Sequence, residues 1–197
     1  MFDINVDKDT IEKIRRECPT IINLYKKYNG ASFFFRGIKI QDMQQRGAGI
    51  IKKKIRTDRG STYSKKDTAI IQTAYEELGI KAHRQNSIFV TSNAKIANHW
   101  GDLFFVFPAD PFVFSYLKDN HAEYPLFTFT DAIWDARGGL RDDQKAIEAV
   151  KKVLIDDKVM TKNLDYPLLG QKEVLIHGTH YYAVRNRDIA LRIINED

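Results

Sequence analysis

Apolar positions along the chain change period several times, and each change marks an expected element. Ile11 and Ile14 share a helical face behind Asp9 and Thr10, which are good caps, and Pro19 interrupts that helix. A second stripe, Ile21, Leu24, Tyr25 and Tyr28, ends at Asn29 and Gly30. The pattern then tightens in "ASFFFRGIKI" (31–40), whose β-forming residues predict a strand running to a glycine turn. Residues 67–79 predict a helix with Ile70, Ile71, Ala74, Tyr75 and Leu78 inward and Gly79 as its stop. "NSIFVTS" predicts a short strand, "NAKIANHW" a short helix capped by asparagine, and "GDLFFVFP" another strand, with "PFVFSYL" a further candidate. Ala146, Ile147, Val150, Val153 and Leu154 fall at helical spacing, so 142–158 reads as an amphipathic helix. The chain returns to strands in "EVLIHG" and "YYAVRN", with "IALRII" a last strand candidate.

Helices at the front and scattered short strands without βαβ alternation imply an α+β fold rather than a doubly wound sheet. The 197 residues, 43% hydrophobic, suit one compact domain, 1–197, in which 1–30 form a helical N-terminal extension and 31–197 the core. No internal repeat, low-complexity tract or linker divides it. The start has no basic-then-apolar signal pattern, and no apolar run approaches a membrane span. A soluble, cytoplasmic protein with no membrane partner is expected. Cys18 is the only cysteine, so no internal disulfide forms and a buried, idle thiol is expected.

Charge adds one feature to this picture. Residues 46–66 carry eight basic side chains against the single acid Asp58, and we read them as a basic loop. Lys52, Lys53, Lys54, Arg56 and Arg59 are candidates for contacting a nucleic acid or an acidic partner through phosphates or carboxylates. The alternative is a solvated loop that serves solubility.

Three polar sites interrupt the strand pattern: Arg36 after "FFF", Thr91 and Ser92 ending "SIFV", and Glu173 opening "EVLI". Singly, each has an ordinary explanation: a snorkelling arginine, a helix cap, a solvated glutamate. Their order carries more. "FFRG" (34–37), "FVTS" (89–92) and "QKE" (171–173) together resemble the arginine-serine-glutamate class of mono-ADP-ribosyltransferases. The likeness extends through "SIFVTSNAKIANHWGDLFFVFP", and "IRTDRGSTYSKKDT" is similar to a segment of phage-borne members, so it spans roughly residues 31–185.

The resemblance implies a split β-sheet core and NAD as the donor substrate. It makes Glu173 catalytic and places Gln171 at the acceptor. Arg36 and Gly37 bind NAD, with Thr91 and Ser92 as the hydroxyl motif. Val90 stands where the family's motif has a leading serine, so either Thr91 takes that role or the register is shifted. The chemistry fits these residue types. Breaking the nicotinamide–ribose bond develops an oxocarbenium-like sugar that an anion stabilises, and an arginine fork suits a pyrophosphate. Glutamine at 171 is similar to members that modify asparagine or nucleobases rather than arginine. The implied acceptor is a macromolecule, RNA or DNA ahead of host protein. The implied setting is a phage or prophage effector or toxin in bacterial cytoplasm, with an antitoxin or inhibitor protein as a further partner.

Two other readings compete. One is a non-enzymatic basic nucleic-acid-binding or phage structural module in which Arg36 and Glu173 pair internally. The other is an NAD-consuming RNA 2′-phosphotransferase, which requires several basic phosphate-binding residues in the site. "HGT" (177–179) resembles the histidine-first motif of the histidine-tyrosine-glutamate branch, but here His177 follows Glu173. His177, His180, Tyr181 and Tyr182 are therefore expected at a turn between strands.

Overall fold

The computed structural model describes residues 7–40, 49–56, 64–119, 125–137 and 142–195. They form an α+β fold with eight antiparallel-paired strands in one sheet and helices on its outer faces. Helices α1 (Lys8–Glu17) and α2 (Pro19–Lys27) precede β1 (Phe35–Ile38) and β2 (Ile50–Lys54). Helix α3 (Lys65–Glu77), β3 (Ile88–Thr91), α4 (Ala94–Asn98), β4 (Asp102–Pro108) and β5 (Val113–Leu117) follow. The remainder is α5 (Pro125–Arg137), α6 (Asp143–Asp156), β6 (Val159–Met160), α7 (Asp165–Leu169), β7 (Glu173–His177), β8 (His180–Val184) and α8 (Arg187–Ile194). Among the described residues, no helix is long and apolar enough to cross a membrane.

The strand order is β2-β8-β4-β1-β3-β7-β5-β6. Its centre is its weakest seam, because β1 and β3 meet only at Phe35 opposite Thr91. The chain itself shows what happens there. Only Gly178 and Thr179 join β7 to β8, although four strand spacings separate the two in the sheet. Three Cα–Cα steps reach at most about 11 Å, whereas four spacings in a flat sheet span about 19 Å. The sheet therefore folds over on itself, bringing the end of β7 to the start of β8.

Burial follows that closure. Val90, Val174 and Ile176 from one half share a core with Phe104, Val106 and Ala183 from the other. Ile11, Ile14, Ile21 and Tyr25 of α1 and α2 pack into the same core, so these two helices are integral to it. Tyr25 donates to Val106 O at 2.8 Å and accepts from Phe34 N at 3.2 Å, which fastens α2 to β4 and β1. A second cluster places Ile70, Ile71 and Tyr75 of α3 and Ala146, Val150 and Leu154 of α6 against Leu175 and Leu117.

Two expectations are corrected. The supposed basic loop contains β2, paired along its length with β8: Lys52 stands opposite Tyr182, Lys53 opposite Tyr181 and Lys54 opposite His180. β2 lies at the sheet edge, where lysines both tolerate exposure and discourage further pairing. "IALRII" is helix α8 and not a strand. Asn186 caps it by accepting from Asp188 N at 2.7 Å, and Ile189, Ala190, Ile193 and Ile194 fall on one buried stripe. A smaller shift concerns α1, whose cap is Asp7, accepting from Thr10 N at 3.0 Å. Cys18 is fully buried, its Sγ 3.6 Å from Phe107 O, and burial raises its thiol pKa well above the usual range.

Candidate functional site

Glu173 opens β7 directly opposite Thr91, the last residue of β3, so the two side chains share a face. The turn before Glu173 is built to hold it. Gln171 sits at φ +56°, a left-handed conformation uncommon for a side-chain-bearing residue. Thr91 Oγ1 donates to Gln171 O at 3.4 Å and accepts from Asn93 N at 3.1 Å. Ser92 Oγ donates to Pro167 O at 3.2 Å. Asn93 Nδ2 donates to Gln171 Oε1 at 2.9 Å, while Asn93 Oδ1 caps α4 through Lys95 N and Ile96 N. Each hydroxyl has one proton to give: Thr91 gives it to the glutamate's own turn at Gln171 O, and Ser92 to Pro167 O of α7, the helix just before that turn.

Arg36 lies on β1, the strand beside β3. Its Nη1 donates to Phe89 O at 2.8 Å, so the guanidinium bridges the seam where the two strands diverge. Gly37 has a packing reason to be glycine. A Cβ there would stand 2.1 Å from Ala97 O and 2.8 Å from Gly101 N, so only glycine lets the end of α4 touch β1.

Glu173 lines a cleft with Ile71 and Tyr75 of α3, Phe89 of β3, Ser115, Tyr116 and Leu117 of β5, Phe129 of α5, Leu175 and Arg84. Removal from water raises the Glu173 carboxyl to about pH 7, opposed by the positive charge of Arg84. Burial, then the Glu173 charge, pushes the Tyr75 phenol up. Arg84 stacks its guanidinium carbon 4.6 Å over the Phe89 ring.

β1, β3 and β7 are neighbours, so the fold brings Arg36, Thr91 and Glu173 to adjoining strands, with Ser92 and Gln171 just beyond the strand ends; the β1 residue in register with Thr91 and Glu173 is Phe35, next to Arg36. It does not bring Lys52, Lys53 and Lys54 there. They lie on β2, at the far edge of the other half, with Arg56 just beyond, and Lys52 reaches Glu17 at 3.3 Å. Arg59 falls outside the described residues. The turn between β7 and β8 is only Gly178 and Thr179: His177 ends β7, and His180, Tyr181 and Tyr182, expected at that turn, open β8 with both tyrosines buried; His177 Nδ1 donates to Asn86 O at 2.7 Å.

Sequence reasoning missed Arg84 and took Tyr75 only as core. The available signal was "HRQN" (83–86), a polar string pressed between an inward helix and a strand. Among the described residues no cluster of side chains could hold a metal ion. No family model, curated protein or solved structure matches this chain.

Proposed function

We propose that the chain is a mono-ADP-ribosyltransferase that uses NAD as donor and a macromolecule as acceptor. What carries the proposal is Glu173, a carboxylate in an aromatic-lined cleft, paired with Thr91 one strand from Arg36, where β1 and β3 share a single register pair.

In the proposed reaction the C1′–N1 bond of NAD breaks. Its electron pair stays on the ring nitrogen, so nicotinamide leaves as a neutral molecule and needs no acid. An acceptor atom bonds C1′, and its proton passes to solvent. Glu173, ionised, stabilises the developing oxocarbenium charge and accepts a hydrogen bond from a ribose hydroxyl. Arg36 offers its remaining donors to the pyrophosphate, and Gln171 faces the acceptor. Thr91 and Ser92 act by holding the end of α7 and the turn that follows it, through the bonds described above. Gly37 acts by letting α4 close on β1.

We propose a nucleic-acid acceptor ahead of a protein one, with Lys53, Lys54 and Arg56 on and after the edge strand β2 contacting its backbone away from the cleft. A phage or prophage effector or toxin acting in bacterial cytoplasm fits this chemistry.

Incubating wild type and Glu173→Gln with labelled NAD and cell extract tests the proposal. Label entering one macromolecular fraction with wild type alone is the expected result. Absence of both transfer and nicotinamide release from the folded wild type would overturn it and leave a basic binding module.

A further inference from the structure

The cleft contains a cation that none of the roles above uses. Arg84 lies in the turn between α3 and β3, and that turn is tied to its surroundings on every side. His83 N donates to Asn86 Oδ1 at 3.0 Å, and Asn86 Nδ2 donates to Lys81 O at 2.9 Å. Gln85 Nε2 donates to Thr68 O, which binds the turn to α3. Ser115 Oγ donates to Ala82 O at 2.7 Å and His177 to Asn86 O, which bind it to β5 and β7. A segment held at both its own ends and by three neighbouring elements can place a guanidinium with little freedom.

Among the described residues, the other groups lining the cleft do not supply a charge. Tyr75 from α3 and Tyr116 from β5 are phenols whose ionisation is pushed upward by burial. Phe89 from β3, Phe129 from α5, Ile71, Leu117 and Leu175 are apolar, and Ser115 spends its proton on Ala82. His83 donates from Nδ1 to Gln85 at 3.0 Å and accepts Asn86 Nδ2 at Nε2, and burial lowers its affinity for a proton. Among the described residues, Arg84 is then the cation that both lines the cleft and opposes the desolvation of Glu173.

We propose that Arg84 is a positioning residue for Glu173: clamped by the 81–87 turn and stacked on Phe89, its guanidinium presents a fixed positive charge to the Glu173 carboxylate and orients it into the cleft they share. The catalytic meaning of this pair rests on the transferase proposal above, but the pairing itself is independent of it.

Carboxyl NMR of glutamate-labelled protein, with the Glu173 signal assigned by its loss in Glu173→Gln, tests the pairing without any turnover. Arg84→Met keeps the stem on Phe89 and removes the charge; Arg84→Gln removes both, and Arg84→Lys returns a charge. The Glu173 midpoint is expected to rise by about one pH unit in the first two variants and to fall back in the third. An unchanged midpoint in whichever uncharged variant folds would overturn the inference. The acid limb of nicotinamide release, followed in parallel, should move with the midpoint. A midpoint that moves in a protein releasing no nicotinamide would sustain the Arg84 assignment and count against the transferase.

Discussion

Thr91 on β3 faces Glu173 on β7 across one step of the ladder, yet its hydroxyl bonds to Gln171 O, two residues before the glutamate. The hydroxyl therefore fixes where the glutamate's strand begins. Thr91→Val keeps the shape and removes the bond. It should cost about 1 kcal/mol in urea unfolding. Nicotinamide release should fall more steeply than that loss of stability explains, whereas equal loss in both would reduce Thr91 to a structural residue.

Glu173 carries a pH signature of a definite sign. Its folded carboxyl titrates near 7 against an ordinary 4.5, so between those values the native state binds the extra proton. Stability contributed by this site is full below about 4.5 and declines as pH rises through 7. Since the cleft is open at its mouth, water moderates the effect, and Glu173→Gln should be about 1–2 kcal/mol more stable than wild type at pH 8 and equal to it at pH 4. Activity should run the opposite way, rising with pH through 7 as the carboxylate ionises.

Glu17 has the reverse sign. Tyr182 donates to Glu17 Oε2 at 2.5 Å, with His180 at 2.8 Å and Lys52 at 3.3 Å on the same oxygen. The Tyr182 bond first, then those of His180 and Lys52, hold the carboxyl down to about 2 against the opposing effect of burial. This stabilisation is present above about 4.5 and is lost as pH falls toward 2. Tyr182→Phe should lose about 1 kcal/mol at pH 7, after allowing for solvent screening, and progressively less toward pH 2.5. Urea midpoints at the two pH values check it.

Gly37→Ala should be among the most damaging single-methyl changes in the chain. The added carbon meets a backbone oxygen at 2.1 Å, and backbone on both sides prevents relief by a rotamer change. A loss of about 3 kcal/mol is expected, measurable as a lowered Tm.

How much of this was legible depended on how local each cause is. Helices α3 and α6 were readable because Ile70, Ile71, Ala74 and Tyr75, or Ala146, Val150 and Leu154, repeat at helical spacing within one short window. β2 was not, because what makes Lys52–Lys54 a strand is Tyr181 and Tyr182, far along the chain. α8 shows the opposite failure: Ile189, Ile193 and Ile194 are β-branched and suggested a strand, but the Asn186 cap and buried stripe decided for helix. α7, at five residues, is too short for periodicity to show. In the site, Arg36, Thr91 and Glu173 were conspicuous because each broke a strand pattern. Arg84 broke none, since it sits in a turn where a polar residue is ordinary.

The sheet also sets an order of assembly. Four strands borrow a partner from the last quarter of the chain: β3 and β5 pair with β7, and β2 and β4 pair with β8. Before residues 173–184 leave the ribosome, β1 and β4 have each other, but β2 and β3 have edges with nothing to bind beyond one contact. Such long-range closure is slow and leaves open strand edges in the meantime. The segment that delivers Glu173 to its cleft is thus the one that completes the sheet, so a nascent chain gains its site and its sheet in the same event.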